Sequence, residues 1–424
     1  MLTTDKKNAA IGEKFFTTLR LDNLKKNEKI SATLITSATN SVTFSPEKTA
    51  QGASVFFTWE TEIIAGGLVS VKAVVKINDD DEILFFCENP VSVPFEKAGW
   101  YKIDGHIHSD HSDGAGTVSQ NFSAARKNGI NSPALTDHWS AEGWNDSVAF
   151  MNENPDTFVI CGNEFTSDAG HAVLLGINES KNYDLFSFCE LISRAKSMNA
   201  LIYIAHPFET VFKWRHGFDA EGYNGIEVWN NWWGSRHSIN KQAFEKWDAL
   251  NKNGKKLFGI AATDAHKISL AGSAFSSVYL PNGLSAANLL RGMESGNMYG
   301  SNGPHLEFSA TANGVTAIMG ETLEISQHGE DVALNIKCAF GGGLNRLLII
   351  KNGNVVQTLP INARDFDTKI ILNVAPTDFV RVETEGFETA TRKLNNENDA
   401  IMSSDGICAA FAFSNPIFFD CEKK

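Results

Sequence analysis

Between residues 101 and about 300, short apolar runs alternate with amphipathic stretches, and nearly every run begins or ends on a residue able to ligate a metal. No other feature limits the fold as much. Such alternation is the signature of a sheet or barrel with helices outside it. A parallel β/α barrel gathers the C-terminal ends of its strands on one face, where catalytic groups lie. Residues far apart in the chain therefore meet there. His106 and His108 flank one residue at a strand end in DGHIHSDHSDG. In an extended chain, positions two apart face the same way, so both imidazoles can reach one ion. Asp113 follows in a Ser-Asp-Gly turn, from which its carboxylate can bend back over the strand end or simply close an Asx turn. His138 closes SPALTDH, Glu164 closes FVICGNE, His171 opens HAVLLG, His206 closes LIYIAH, and Asp264 with His266 closes LFGIAATDAH. A single polar residue at a strand end is usually a turn residue. Nine of them, including six of the 11 histidines, point to a metal cluster.

The rest of the chain frames this segment. Its 424 residues exceed one ordinary domain and suggest two or three. Residues 30–98 alternate apolar and polar positions in runs such as ASVFFTWE and SVKAVVKI, the pattern of an antiparallel β unit. The alternation returns beyond Pro304 in DVALNIKCAF, RLLIIKNGNVV and KIILNV, with Asn352-Gly353 marking a hairpin turn. Between them, helices are expected over 118–129, 189–199 and 238–254, each with a cap, a closing Gly or amphipathic spacing. The expected division is a β sandwich over 1–99, a catalytic α/β unit over 100–303 and a second β sandwich over 304–424.

Composition excludes several function classes. The balance of 37 Lys+Arg against 50 Asp+Glu gives a net charge of −13, a poor field for a polyanion, so nucleic acid is not expected as a partner. A small phosphorylated substrate stays compatible, because bound cations reverse the local field. The six cysteines form no CxxC pair, which argues against a disulfide framework or a thiolate zinc site. There is no signal-peptide h-region in MLTTDKKNAAIGEKFF and no uninterrupted 18-residue apolar stretch, so a cytoplasmic protein without membrane contact is expected. No GxSxG or Walker sequence offers another chemistry.

The ordered strings HIHSDHSDG, LTDHWSAEG, GNEFTSDAGHAVLLG, IAHPF, GIEVWN and ATDAH resemble those of the polymerase and histidinol phosphatase (PHP) metallohydrolases, from about Gly99 to Gly303. That resemblance implies an α/β fold with a distorted, TIM-like, seven-stranded β/α barrel and two or three divalent cations. His106, His108, Glu164 and Asp264 would hold one ion, and Asp113, His138 and His266 a second. Glu164 would bridge to a third, held also by His171 and His206. The catalytic set is then Asp113, His138, Glu164, Asp264 and His266, with a metal-bridging hydroxide as nucleophile. Where many relatives have Asp after the Asp-His pair, this chain has Trp139. GWYKIDGHIHSDHSDG, EVWNNWWG, GNMYGSNGP and SNPIFFD further resemble the carbaryl-hydrolase-like branch of the family.

A donor set of nitrogen and oxygen without sulfur suits zinc, manganese or iron. Asp137 is expected to orient a ligand rather than bind metal. Lys213, Arg215, His216, Arg236 and His237 are candidate substrate contacts or, equally, solvated loop charges. Trp229, Trp232 and Trp233 either wall an aromatic pocket or pack against helices. His111 reads as an exposed turn histidine, and His305 and His328 as structural or exposed. The leading function is phosphoester hydrolysis of a small molecule. Carbamate or carboxylic ester hydrolysis is second, and a non-catalytic carbohydrate- or protein-binding module third.

Overall fold

The computed structural model describes all residues except 10–12, 37–41, 64–66, 70, 79, 81, 88–90, 94–96, 178–185, 233–237, 387–409 and 422–424. Near the N-terminus, strands Lys14–Asp22 and Ser54–Glu62 pair antiparallel along their whole length, as do Lys29–Thr36 and Val71–Ile77 in another sheet. Side chains alternate across a strand, so one row from each strand can be buried. Phe15, Leu19, Phe57 and Trp59 from the first pair join Ile30, Leu34, Val71 and Val75 from the second in a single apolar core.

Seven strands then form the scaffold of the site. They are β1 (Gly99–Ile107), β2 (Ser132–Leu135), β3 (Ile160–Ser167), β4 (Gly170–Leu175), β5 (Leu201–Ile204), β6 (Gly225–Asn230) and β7 (Phe258–Ala262). Those from β2 onward are short, and β2, β4, β5 and β6 are buried at every residue. Burial on both faces explains why their sequences are continuous apolar runs rather than alternating ones. The order β1-β2-β3 is parallel, and so is β5-β6-β7. Between these groups, β4 returns directly from β3 through Asp168-Ala169 and runs antiparallel to both β3 and β5. Its beginning therefore lies at the same edge as the ends of its neighbours. That reversal is why His171 opens its run while the other ligand candidates close theirs.

The expected distorted β/α barrel is not closed. The first five residues of β1, Gly99–Ile103, pair antiparallel with β8 (Phe275–Leu280), so that edge is already taken. Only an isolated parallel bridge, Ile107 to Ala265, joins β1 to the segment after β7. The seven strands curl round, but the sheet does not close. It continues instead through β8 and β9 (Met298–Ser301) into the C-terminal strands.

Helices α1 (Val118–Lys127), α2 (Trp144–Glu153), α3 (Phe188–Ser197), α4 (Ser238–Lys252) and α5 (Ala286–Glu294) lie between the strands. Capping boxes start two of them, Thr117 with Gln120 at α1 and Ser187 with Glu190 at α3, which satisfies backbone N–H groups left free by the first turn. α2 and α5 are not among the helices expected from sequence. α2 has no side-chain cap bond, and Phe150 is its only fully buried apolar residue, so its periodic signal is weak.

The C-terminal strands include β10 (Glu330–Lys351), β11 (Asn354–Val374), β12 (Phe379–Gly386) and β13 (Phe411–Ser414). β10 and β11 form the expected hairpin, with Asn352 and Gly353 both at positive φ (53° and 79°), as a type I′ turn requires. These strands have an apolar core of their own but do not stand apart as the expected separate sandwich. β13 pairs with β9, Tyr299 opposite Ser414, so they belong to the same mixed sheet as the site. Among the described residues, no helix is long and apolar enough to cross a membrane.

One buried ionic contact ties the C-terminal strands to the central unit. Arg381 on β12 donates to both oxygens of Asp248 on α4 (2.8 and 2.7 Å) and to Glu383 (2.5 Å). Its guanidinium also lies over the rings of Phe244 and Trp247. Removing the cation leaves two carboxylates in a largely dry setting, a change that costs about 3–5 kcal/mol in comparable networks. Arg381→Met is expected to lower the free energy of unfolding by about that amount, read from urea denaturation followed by tryptophan fluorescence. A loss below about 1 kcal/mol, the scale of an exposed pair, would show that the contact does not hold the two parts together.

Candidate metal centre

The nine residues singled out at strand edges converge on one place. Glu164, midway along β3 and almost fully buried, is at its centre. Its Oε1 lies 3.3 Å from His106 Nε2, 3.1 Å from His171 Nδ1 and 3.2 Å from His206 Nε2. Its Oε2 lies 3.3 Å from His108 Nε2 and 3.0 Å from His138 Nδ1. Asp264 Oδ1 faces His106 Nε2 and His108 Nε2 at 3.3 and 3.1 Å. Asp113 approaches His108, His138 and His266 at 3.5, 3.5 and 3.3 Å. Four overlapping groups result, each with donor atoms close enough to share an ion: His108, Asp113, His138 and His266; His106, His206 and Asp264; His106, His108 and Glu164; His138, Glu164 and His171.

Local backbone features place these side chains. The loop after β1 folds back so tightly that a Cβ on Gly114 would sit 2.5 Å from the His108 carbonyl, and this turn presents Asp113 to the cluster. His206 and Asp264 both have positive φ, 24° and 52°. Non-glycine residues in that region cost of order 1–3 kcal/mol each and persist only where the surroundings impose them. At His206 the constraint is a bond from its backbone N–H to Glu227 Oε2 (2.9 Å).

Glu227 and Asn230, both on β6, are functional candidates that the sequence reading leaves without a role. Glu227 is fully buried, and its Oε1 sits 3.1 Å from His106 Nδ1. Asn230 Nδ2 donates to Glu227 Oε2 (3.0 Å) and to Asp264 Oδ2 (3.1 Å). A carboxylate on the far nitrogen of a ligating histidine fixes its tautomer and ring orientation. The signal was present in GIEVWN, where an ionisable residue interrupts an otherwise buried run. Asp137 behaves differently from expectation. It accepts from Ser109 N, Ser109 Oγ and Ser112 Oγ (2.6, 2.7 and 2.7 Å), so it braces the loop rather than a ligand ring.

The electrostatics follow from crowding acids and imidazoles in a dry space. Burial opposes charge on Glu164, yet the imidazoles of His106, His171 and His138 hold its carboxyl well below the usual range. Burial likewise disfavours imidazolium at His138 and His266. The carboxylates of Glu164 and Asp113 overcome this and push His138 up to about 10. Asp113 and Asp264 push His266 up to about 9. At His171 burial prevails, and its pKa is lowered.

These residues fit a metal. His106 Nε2, both ring nitrogens of His108, His171 Nε2, Glu164 Oε2 and Asp264 Oδ1 are buried without a hydrogen-bond partner of good geometry among the described residues. Stranded polar atoms of this kind cost about 1–3 kcal/mol each unless something else satisfies them. Here they all face one another, and all are donors that ligate divalent transition metals.

Beside the cluster lies a cleft of about 890 Å³ lined by residues that include Asp113, His138, His171, Trp139, Phe212 and His216. His216 is on its wall, 3.1 Å from Ser167 Oγ. Arg215 is not among the lining residues and donates to the Asp168 carbonyl (3.3 Å), while the Lys213 ammonium lies over the Phe208 ring. His111 lines the cleft but pairs with Asp146 (2.9 Å). Arg236, His237 and Trp233 lie outside the described residues. Trp229 is a core residue against Phe411, so it does not wall a pocket, whereas Trp232 meets the His266 ring edge-on at 5.5 Å. His305 bonds Tyr299 and Glu307, far along the chain from this cluster.

No curated protein matches the chain. Among solved structures it is similar to a two-domain protein from Bacteroides vulgatus containing a predicted PHP-like metal-dependent phosphoesterase. The identity is 17%, over 68% of this chain and 91% of that one, with a TM-score of 0.41. It is also similar to PsfC from Pseudomonas syringae (15% identity, 45% and 88% covered, TM-score 0.35). It is similar as well to an amidohydrolase from Chromobacterium violaceum (16% identity, 45% and 96% covered, TM-score 0.32). Residues 104–226, from the first strand of the cluster to β6, match the PHP domain family.

Proposed function

We propose that this chain is a metal-dependent hydrolase acting as a phosphoesterase on a small phosphorylated substrate, with its catalytic unit over 100–303. The observation that supports this most is the set of buried, unpartnered nitrogen and oxygen atoms facing one another around Glu164. His106, His108, Glu164 and Asp264 would hold one cation of zinc, manganese or iron, Asp113, His138 and His266 a second, and Glu164, His171 and His206 a third. Bound cations supply the charge that makes water a hydroxide nucleophile near neutral pH and steadies the reacting oxygens of substrate. The chain's own work is to hold the donors in place. Glu227 turns His106 so that Nε2 faces the cluster, and Asn230 fixes Asp264 Oδ2 so that Oδ1 does. Thr166 Oγ1 meets His138 Nδ1 at 2.5 Å, which leaves Nε2 toward Asp113.

Carboxylic ester or carbamate hydrolysis, in keeping with the resemblance to the carbaryl-hydrolase-like branch, is a second reading. It is favoured by the absence of Lys and Arg from the described residues that line the cleft.

The first test is elemental analysis together with a panel of chromogenic phosphomonoesters, phosphodiesters and aryl esters, assayed with manganese or zinc. About two or three equivalents of transition metal per chain and turnover of a phosphoester are expected. Turnover of carboxylic esters alone would favour the second reading, and less than one equivalent with no uptake of added metal would overturn both.

Glu227 offers a test away from the ligands themselves. Its Oε2 accepts from two donors, His206 N and Asn230 Nδ2, and its Oε1 faces His106 Nδ1. A Gln there must turn its NH₂ against donors on one side. Glu227→Gln is therefore expected to weaken metal binding about 10- to 100-fold with an unchanged circular dichroism spectrum. Wild-type affinity in a competition titration would show that Glu227 is only a filler.

The protonation of the imidazoles couples metal uptake to pH. Without metal, His138 and His266 titrate near 10 and 9, so both are protonated at pH 7. Ligating nitrogens must be neutral, so metal uptake expels these protons and apparent affinity rises with pH. Adding zinc to metal-free protein at pH 7 should release about two or more protons per chain, measured with an indicator in weak buffer. Uptake without release would mean that these two imidazoles are not ligands.

A further inference from the structure

Two aromatic rings stand in solvent at the rim of the cleft, and dedicated bonds keep them there. Trp139 is 37% exposed and has a left-handed backbone (φ 51°), and its indole N–H donates to the Thr166 carbonyl (3.0 Å). Phe212 is 43% exposed, and its ring stacks on His171 with centroids 4.8 Å apart and planes at 29°. The Phe212 loop is closed by Glu209, whose carboxylate accepts from the backbone N–H groups of Val211 and Phe212. The Glu209 N–H in turn bonds the His206 carbonyl (3.0 Å). Ring contacts run across the site from Trp139 to His138 (5.8 Å), on to His171 (5.6 Å) and then to Phe212. The two exposed rings thus flank the His138–His171 pair.

Charge on the rim narrows what could lie between them. The acidic residues lining the cleft are Asp113 and Asp168, and no Lys or Arg lines it among the described residues. A substrate whose second anionic group reached beyond the metal centre would meet the Asp168 carboxylate, with no lining Lys or Arg among the described residues to offset it. A flat apolar group would instead cover ring surface that now faces water, and aromatic contacts add to that gain.

We infer that Trp139 and Phe212 are specificity-determining residues that hold an uncharged planar group of the substrate, so the preferred substrate is an ester with an aryl or similarly flat, apolar portion. Nucleotides and other polyanions are poor substrates. The inference rests on the hydrolase reading, and it holds whether phosphorus or carbon is attacked.

The experiment compares metal-loaded wild type with Trp139→Ala, Phe212→Ala and Trp139→Phe, each checked for equal metal content. KM is measured for phenyl and for propyl phosphate, or for the matching acetates if only carboxylic esters turn over. In parallel, 1-naphthol is titrated calorimetrically into each protein. Each alanine variant is expected to raise the aryl-to-alkyl ratio of KM about tenfold and to weaken 1-naphthol binding by a similar factor, while Trp139→Phe recovers most of both. An unchanged ratio with unchanged naphthol binding overturns the inference, as does an equal rise in KM for both substrates, which marks a merely structural role. If no protein turns over any ester, the hydrolase reading fails, and the calorimetric comparison still decides whether the rings form an aryl site.

Discussion

A carboxylate stays charged in a protein interior only where hydrogen-bonding or charged partners replace its lost hydration, and this structure is organised around that constraint at Glu164. Five imidazoles lie within 3.3 Å of its two oxygens. They come from β1, from the loops after β1, β2 and β5, and from the start of β4. No one segment could supply them, so the curl of the sheet and the direction of each strand are set by the need to bring those edges together. The reversed β4 is the least expected part of that solution. It delivers His171 from the beginning of a strand to a point its neighbours reach only at their ends.

Other buried carboxylates do quieter work around this centre. Asp104 accepts from the backbone N–H of the ligand candidate His106 (3.5 Å) and from Thr263 N, Thr263 Oγ1 and Gly272 N, which binds β1 to the chain after β7. Burial pushes its pKa up to about 6 in spite of those bonds. Asp137 ties down the Ser109–Ser112 loop in the same manner. With the left-handed backbone at His206 and Asp264, these contacts describe a site in which local strain is tolerated because several hydrogen bonds hold each end.

Much of this was legible in the sequence because ligand chemistry restricts residue type and strand edges restrict position. His106, His108, Glu164 and Asp264 could be picked out with no knowledge of the sheet. What escaped depended on packing. Glu227 looked like one polar residue in a strand until its contact with His106 gave it a task. Trp229 could equally have lined a pocket, and only its burial against Phe411 decides that it does not. The open sheet escaped as well, because the pairing of β1 with β8 is a long-range choice that no local pattern announces. Arg381 sits in a strand buried nearly throughout, where α4 covers what alternation would have left to solvent.

The pairing of β9 with β13 has a consequence for how this protein comes to be folded. β9 lies just past the metal-site strands, whereas its partner is synthesised much later, after the whole β10–β11 hairpin. During translation the central sheet must wait with an open edge, its backbone groups available to any passing strand. Contacts of such sequence separation are slow to form. The vulnerable interval in the life of this chain is therefore the time before residues 411–414 leave the ribosome, when the ligand-bearing strands already exist but the sheet that carries them is still a template for misassembly.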